Sequence, residues 1–402
     1  MLKGKKIVVG VTGGIAAYKV ANLVSCLVKA HADVHVVMTH AATQFITPLV
    51  MQTLSGNPCY TDCADERLVG MSVHVSIADG ADAFIIAPAT ANSIAKCAYG
   101  IADDVVSTTM LAMTCPVFIS PAMNTHMYEN AAVQENLSVL KRRGCIIIPP
   151  DEGRLACGTV GEGKFPPESV ILSYVYREIA CIHDLEGMHV VVTAGPTQEA
   201  IDPVRYITNH SSGKMGYALA YRAMLRGAHV TLITGPCSIN PPAFVDVIQV
   251  VSAHDMFEAV KEALPGADAL FMAAAVADFT PVDVAQDKIK KTSDTPFSML
   301  ALTSTQDILS YVGEHRLPHQ RICGFSMETN DVLTNSQAKL ARKKVDMIAA
   351  NSLRESGAGF GTDTNHLTCI TADSVCDIPL TTKECAADAL ITALFSLELT
   401  QG

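Results

Sequence analysis

The sequence predicts an α/β protein made of two Rossmann-like domains with mainly parallel sheets. Three observations carry the prediction. Apolar, β-branched runs alternate with helical stretches, the pattern of strands buried on both faces and joined by crossover helices. Two of these runs open directly into glycine about half a chain apart, at Ile7 to Gly14 and at His189 to Gly195. Between them lies a short polar link, Cys181-Ile-His-Asp-Leu-Glu-Gly-Met188, which puts the domains at 1–187 and 188–402.

In the first domain the expected order is strand Ile7 to Val11, helix Ile15 to Lys29, strand Val34 to Met38, a helix from Ala41, strand Ala83 to Ala87, helix Ala91 to Tyr99, strand Val117 to Ser120, helix Ala131 to Arg142 and strand Cys145 to Ile148. The second repeats the alternation: a strand to Thr193, helix Tyr217 to Arg226, strand Val230 to Thr234, helix Met256 to Leu264, strands Ala269 to Ala274 and Arg321 to Ser326, helix Asn335 to Lys344 and strand Met347 to Ala349. Open parallel sheets bind ligands beyond the carboxyl ends of their strands. In the first domain those positions are Gly13 and Gly14, Thr39, Pro88 to Asn92 and Pro121 to Asn124.

Composition narrows the function. With 402 residues, 49% hydrophobic and 17% charged, the chain reads as globular, and its net charge of -11 argues against a nucleic-acid partner. The local cluster Lys288, Lys290 and Lys291 suits a small polyanion such as a nucleotide. Thirteen cysteines without C-x-x-C pairs, and no signal peptide, point to reduced thiols in a cytoplasmic protein. No apolar run reaches the roughly 18 residues that span a bilayer, so no membrane partner is expected.

The glycine turns let backbone N–H groups approach a phosphate. Pro88-Ala-Thr-Ala-Asn92 and Pro121-Ala-Met-Asn124 end in amides that suit a planar heterocycle and a carboxylate. On pattern alone they are equally ordinary turns with asparagine caps. Gly153-Arg-Leu-Ala-Cys157-Gly-Thr-Val-Gly-Glu-Gly163, glycine-laced around a thiol, reads as a flap over a pocket.

With these residues in view, the chain resembles, over nearly its whole length, the bifunctional phosphopantothenoylcysteine decarboxylase/phosphopantothenate–cysteine ligase family of bacterial coenzyme A synthesis. The resemblance implies a flavodoxin-like flavoprotein domain followed by a ligase domain. The family's functional histidine, P-x-M-N asparagine and flap cysteine fall on His74, Asn124 and Cys157, although His74-Val-Ser-Ile77 departs from the usual H-I-x-L. It further implies FMN, with its phosphate near Gly13, Gly14, Thr39 and Ser107 and its ring against Thr90 to Asn92. A flavin supplies the electron sink that an N-acylated cysteine lacks: oxidation of CH2–SH to a thioaldehyde places C=S β to the carboxylate, so CO2 can leave. In that scheme His74 assists the oxidation as a base, Asn124 holds the carboxylate and Cys157 returns a proton to complete the thiol.

The second domain carries the more specific stretch, Ala194-Gly-Pro-Thr-Gln-Glu-Ala-Ile-Asp-Pro-Val-Arg205-Tyr-Ile-Thr-Asn209-His-Ser-Ser-Gly-Lys-Met-Gly216, which is similar to the ligase signature. By the resemblance, 4'-phosphopantothenate attacks CTP to give an acyl-cytidylate, and L-cysteine displaces CMP. Asn209 and Arg205 hold the intermediate, and Ala273, Ala274, Asp278, Lys288, Asp307, Ile308, Phe325, Lys339 and Lys343 line the CTP site, with Mg2+ at Asp278. Two departures bear on the nucleotide: the family's K-N-P-D-I reads Ser304-Thr-Gln-Asp-Ile308, and Ser326 and Met327 replace two alanines. Two other readings remain, a flavin-binding module without catalysis and a decarboxylase acting on peptides ending in cysteine. The family's trimeric decarboxylases and dimeric ligases imply a homo-oligomer, a dodecamer satisfying both symmetries.

Overall fold

The computed structural model describes residues 1–64, 72–154, 158, 160–290, 299–328, 332–352, 359 and 361–397. It divides into two units, Met1–Cys181 and Ile182–Gly402.

In the first unit the strands are β1 (Lys6–Val11), β2 (Asp33–Met38), β3 (Cys59–Tyr60), β4 (Ala83–Ala89), β5 (Val117–Pro121) and β6 (Ile146–Ile147), all parallel, in the order 3-2-1-4-5-6. That is the Rossmann order, with the topological switch between β1 and β4. Alternation divides each central strand between two cores. Ile7, Val9 and Val11 of β1 and Ala83, Ile85 and Ala87 of β4 face a cluster closed by α1 (Val20–Lys29), α2 (Pro48–Ser55) and a later helix, Glu168–Ile179. Val8, Phe84 and Ile86 face the opposite cluster, closed by α3 (Val73–Ala78), α4 (Ala91–Tyr99), α5 (Val105–Ala112) and the helix Ala131–Arg142. Burial on both faces explains why these strands read as continuous apolar runs. An antiparallel hairpin, β7 (Asp151–Arg154) and β8 (Val160–Lys164), rises beside this sheet where the sequence predicts a flap.

The second unit holds an eight-stranded sheet. Its strands are β9 (His189–Ala194), β12 (His229–Thr234), β13 (Asp246–Gln249), β14 (Ala269–Met272), β17 (Arg321–Glu328), β18 (Met347–Ser352), β19 (Thr364–Ile370) and β20 (Val375–Thr382), in the order 13-12-9-14-17-18-19-20. Six are parallel. The last two, absent from the sequence-based assignment, run antiparallel as a hairpin closed by Thr371 and Ser374. Two small ribbons, β10 (Gln198–Ala200) with β11 (Tyr206–Thr208) and β15 (Phe279–Pro281) with β16 (Leu302–Ser304), stand apart from it. The helices Ala253–Ala263, Ile308–His315 and Val332–Lys343 cover one face over Val191, Leu270, Ile322 and Ile348. The helices Lys214–Leu225 and Lys383–Phe395 pack together on the other.

Candidate active sites

At the carboxyl end of the first sheet lies a cavity of ≈ 930 Å³, within the range of sites for small molecules and cofactors. It is lined by Gly13, Gly14, Thr39, Thr90, Asn92 and Asn124 among others, so six sequence-predicted residues from four strand ends do converge. Glycine is required at Gly13, where a Cβ would stand 2.4 Å from Ala41 Cβ. Thr12 braces the switch point: its hydroxyl donates to Pro88 O at 2.6 Å and accepts the Thr90 N–H at 3.1 Å. Thr90 then caps α4, its Oγ1 accepting the Ser93 N–H at 3.3 Å.

The Pro121-Ala-Met-Asn124 loop ends in a cap: Asn124 Oδ1 accepts the His126 N–H at 2.9 Å. Cavity lining and capping, the two alternatives left by the pattern, hold together, because the cap orients the amide whose side chain lines the site. The hairpin docks on this loop through glycine. Met123 N–H donates to Gly163 O at 2.9 Å, and a Cβ on Gly163, at φ +124, would stand 2.3 Å from Met123 O.

Three expectations fare differently. Ser107 is buried and outside the cavity lining; its backbone and hydroxyl form a capping box with Asp104, which does line the cavity. His74, on α3, also lies outside the lining, and its Nδ1 is buried with no hydrogen-bond partner. Cys157 lies outside the described residues.

Sequence reasoning missed the cavity's charge. Lys19, Lys96, Arg154 and Lys164 line it. Lys164 pairs with Asp151 at 2.8 Å, and Lys96 with Asp103 at 2.6 Å and Asp104 at 2.8 Å. The two carboxylates raise the Lys96 ammonium's pKa. Burial works against ionisation of Asp104, yet Lys96 and the Ser107 N–H outweigh it and hold that carboxyl below its ordinary value. The available signal was the Asp103-Asp104 pair seven and eight residues after Lys96, close enough to fold back across one turn.

In the second unit, the signature stretch wraps the carboxyl end of β9. Gly216 packs the helix Lys214–Leu225 against that strand so closely that a Cβ would stand 2.6 Å from Ala194 Cβ. Asn209 Nδ2 donates to Ala275 O and Val276 O, tying the stretch to the loop of Ala273 and Ala274 after β14; Ala274 N–H in turn donates to Thr193 Oγ1 at 3.1 Å. Thr305, within the departed Ser304–Ile308 segment, closes the same loop: its hydroxyl donates to Ala277 O at 2.6 Å and its N–H to Asp278 O at 3.0 Å.

Arg205 is committed locally. Its guanidinium pairs with buried Asp202 and donates to Ile289 O at 2.8 Å, joining the signature to the segment of Lys288, which is itself exposed. Asp202 also accepts the N–H groups of Val204, Arg205 and Ile289. Arg205 above all, and these N–H groups, hold its carboxyl well below the ordinary carboxylate range against the opposing effect of burial. Asp-Pro at Asp202 and Pro203 was the sequence signal for such a turn. Asp307 caps the helix Ile308–His315 and pairs with Lys343, which also donates to Ser310 Oγ at 2.9 Å; Lys339 donates to Phe325 O at 2.8 Å. Ile308 is 4% exposed and its side chain packs in the core. Among the described residues no three acidic, His or Cys side chains gather to hold a metal, and Asp278 stands exposed.

The family described as Flavoprotein matches residues 1–180, and that described as the DNA/pantothenate metabolism flavoprotein C-terminal domain matches 185–397. The chain is 48% identical over 371 residues to the coenzyme A biosynthesis bifunctional protein CoaBC of Bacillus subtilis (strain 168), across 92% of this chain and 91% of that one. To the protein of the same name from Escherichia coli (strain K12) it is 42% identical over 391 residues, 97% and 96% of the two chains. The crystal structure of the C-terminal domain of a coenzyme A biosynthesis bifunctional protein CoaBC is similar at TM-score 0.44 and 39% identity, over 52% of this chain and 94% of that one. With both halves matched and relatives aligned nearly end to end, the chain belongs to the family of bifunctional coenzyme A biosynthesis enzymes, a flavoprotein decarboxylase domain followed by a ligase domain.

Proposed function

We propose that the second unit joins 4'-phosphopantothenate to L-cysteine at the expense of CTP, and that the first decarboxylates the product to 4'-phosphopantetheine with FMN. The observation that carries the reading is the convergence of Gly13, Gly14, Thr39, Thr90, Asn92 and Asn124 on one cavity of ≈ 930 Å³, in a chain whose other half presents Asn209 on the Ala274–Val276 loop. The cavity is large enough for a flavin mononucleotide, and the Gly13 turn, where no Cβ fits, leaves backbone N–H groups open to its phosphate. FMN supplies a two-electron oxidant and reductant.

The chain's own residues do the rest. The Asn124 amide, oriented by its cap, donates to the substrate carboxylate and holds it in line with the bond that breaks. Thr90 to Asn92 fix the heterocycle. His74 takes a proton from the substrate thiol, and Cys157 supplies the last proton that completes the saturated thiol product. Because His74 lies outside the Asn124 cavity, and Ile15, Tyr18 and Met127 around that cavity are 60%, 56% and 49% exposed, the reading includes a homo-oligomer in which a second copy brings His74 to the site. A dodecamer combines the trimeric and dimeric symmetries.

In the ligase unit, Asn209 holds the acyl group, while Arg205 fixes the Lys288 segment beside the nucleotide and touches it through that segment. Lys339 and Lys343 meet the phosphates after exchanging Phe325 O and Asp307 for them. Asp278 belongs to no group of three acidic, His or Cys side chains among the described residues, and magnesium would enter with the CTP phosphates. The reading includes a cytoplasmic location; among the described residues no helix is long and apolar enough to cross a membrane.

Two assays test the proposal. The purified chain, carrying FMN, is expected to release CO2 from 4'-phosphopantothenoylcysteine, and Cys157→Ser to release CO2 but accumulate the unsaturated thiol. Pyrophosphate release with 4'-phosphopantothenate is expected with CTP in preference to ATP. No release with either nucleotide overturns the ligase half; saturated product at the normal rate from Cys157→Ser removes that residue as proton donor.

A further inference from the structure

β17 and β18 run parallel, with Phe325 beside Ala349 and Met327 beside Asn351. Side chains alternate along a strand, so these four share a face of the sheet. The other face is fixed by Gly324, whose Cβ would stand 3.0 Å from Ile348 Cδ1, in the core under the Ile308–His315 and Val332–Lys343 helices. Asn351 therefore lies on the face covered by the Lys214–Leu225 and Lys383–Phe395 helices, two residues past Phe325 toward the carboxyl end.

Asn351 is 5% exposed. Its amide N–H donates to Asn365 Oδ1 at 2.9 Å, and Asn365 Nδ2 lies 3.8 Å from the sulfur of Met215, in the first turn of the helix that begins within the Ser-Ser-Gly-Lys-Met-Gly run. A donor of Asn351 is thus engaged, whereas its Oδ1 is buried with no hydrogen-bond partner. Buried polar atoms are almost always paired, and a lone acceptor is costly to keep. The other unpaired buried side-chain atoms among the described residues of this unit are Arg321 Nε, at the amino end of β17, and Ser336 Oγ, inside a helix. Asn351 Oδ1 alone of these stands at the carboxyl end of a parallel strand, where open α/β sheets bind their ligands.

An amide carbonyl takes only a donor. Carboxylates and phosphates, which carry the charge of the acyl and nucleotide substrates, cannot pair with it; an amine can. We infer that Asn351 is a binding contact for the amine nucleophile of the ligase reaction, its Oδ1 accepting an N–H from the incoming amino acid while Asn365 holds the amide in place. The inference rests on the ligase reading above. The neutral amine's nitrogen pair forms the C–N bond to the acyl carbon, the C–O bond to CMP breaks with its electrons, and one nitrogen proton passes to water. Holding a second N–H on Asn351 aims the lone pair at the carbon.

The full-length enzyme, assayed with CTP, 4'-phosphopantothenate and magnesium, tests this. Asn351→Ala is expected to raise the KM for cysteine about tenfold, with the KM values for CTP and 4'-phosphopantothenate unchanged. Hydroxylamine, which captures the acyl-cytidylate without needing that contact, should still support normal pyrophosphate release. Asn351→Asp keeps an acceptor oxygen and should restore the cysteine KM; Asn365→Ala should raise it less than Asn351→Ala. An unchanged cysteine KM, a rise confined to CTP, or equal loss with cysteine and hydroxylamine overturns the inference. Should Asn351→Ala not fold, Asn351→Asp decides: normal hydroxylamine trapping with a lost cysteine reaction overturns it, and a retained or lowered cysteine KM supports it. Failure of the wild-type chain to release pyrophosphate counts against the ligase reading instead.

Discussion

Replacing Gly163 with alanine isolates the hairpin from the rest of the first unit. The added Cβ would stand 2.3 Å from Met123 O, a backbone atom that cannot swing aside, and the residue would have to hold φ +124. Forcing a side chain into that backbone region costs about 1–3 kcal/mol, and the overlap adds a similar overpacking cost of about 1–3 kcal/mol if the contact is kept. The cheaper response is to part the Met123 N–H to Gly163 O bond of 2.9 Å and lift the hairpin. A shift of about 1–3 kcal/mol in that docking equilibrium lowers the docked fraction roughly 5- to 150-fold once the open state dominates. Since the lifted hairpin carries Arg154 and Lys164 out of the cavity lining, CO2 release from 4'-phosphopantothenoylcysteine should fall at least about fivefold. CTP-dependent pyrophosphate release on the same preparation should not change, because the second unit has its own core. A Gly163→Ala enzyme with unaltered decarboxylation would refute the docking argument, and one that loses both activities would show the damage to be global.

Two further outcomes follow from the first unit. Thr90→Ala removes the cap on α4, worth about 0.5–2 kcal/mol, and should lower its melting temperature by roughly 2–4 °C per kcal/mol for a unit of this size, together with weaker FMN retention in fluorescence titration; a flavin affinity equal to wild type would remove Thr90 from the cofactor site. Asp104 has a folded-state pKa below the ordinary 3.8, so its stabilisation is complete above about pH 4 and disappears as the pH falls through the folded value. Asp104→Asn should therefore be less stable than wild type near neutral pH and converge with it in acid, as read from urea midpoints between pH 3 and 7; a constant difference across that range would show that the carboxylate charge is not what stabilises.

How far the sequence reached is clearest at individual residues. The strands β1, β4, β9 and β14 were legible because burial on both faces leaves only apolar residues to choose from, and Gly13 and Gly195 because no other residue suits the turns that follow. The hairpin β19–β20 was not: Thr364–Ile370 opens with three polar residues, and its alternating burial, with Asn365 inside, follows only from the antiparallel partner. The capping role of Ser107 was not legible for a related reason. A hydroxyl one turn into a helix serves a ligand or its own cap equally well in one dimension, and only the position of Asp104 decides.

The sequence by itself determined the two-unit α/β architecture, the glycine turns and the family, because these depend on local periodicity and on motifs read in order along the chain. Tertiary structure alone decided that Lys343 is committed to Asp307, whereas Lys96 with Asp103 and Asp104, and Arg205 with Asp202, are near neighbours whose pairing a local pattern suggests. It also placed His74 outside the lining of the Asn124 cavity and left Asn351, beside Met327, with an unpaired acceptor. The Lys343–Asp307 pair joins residues 36 positions apart, and the sheet joins residues further apart still, distances that no local pattern encodes.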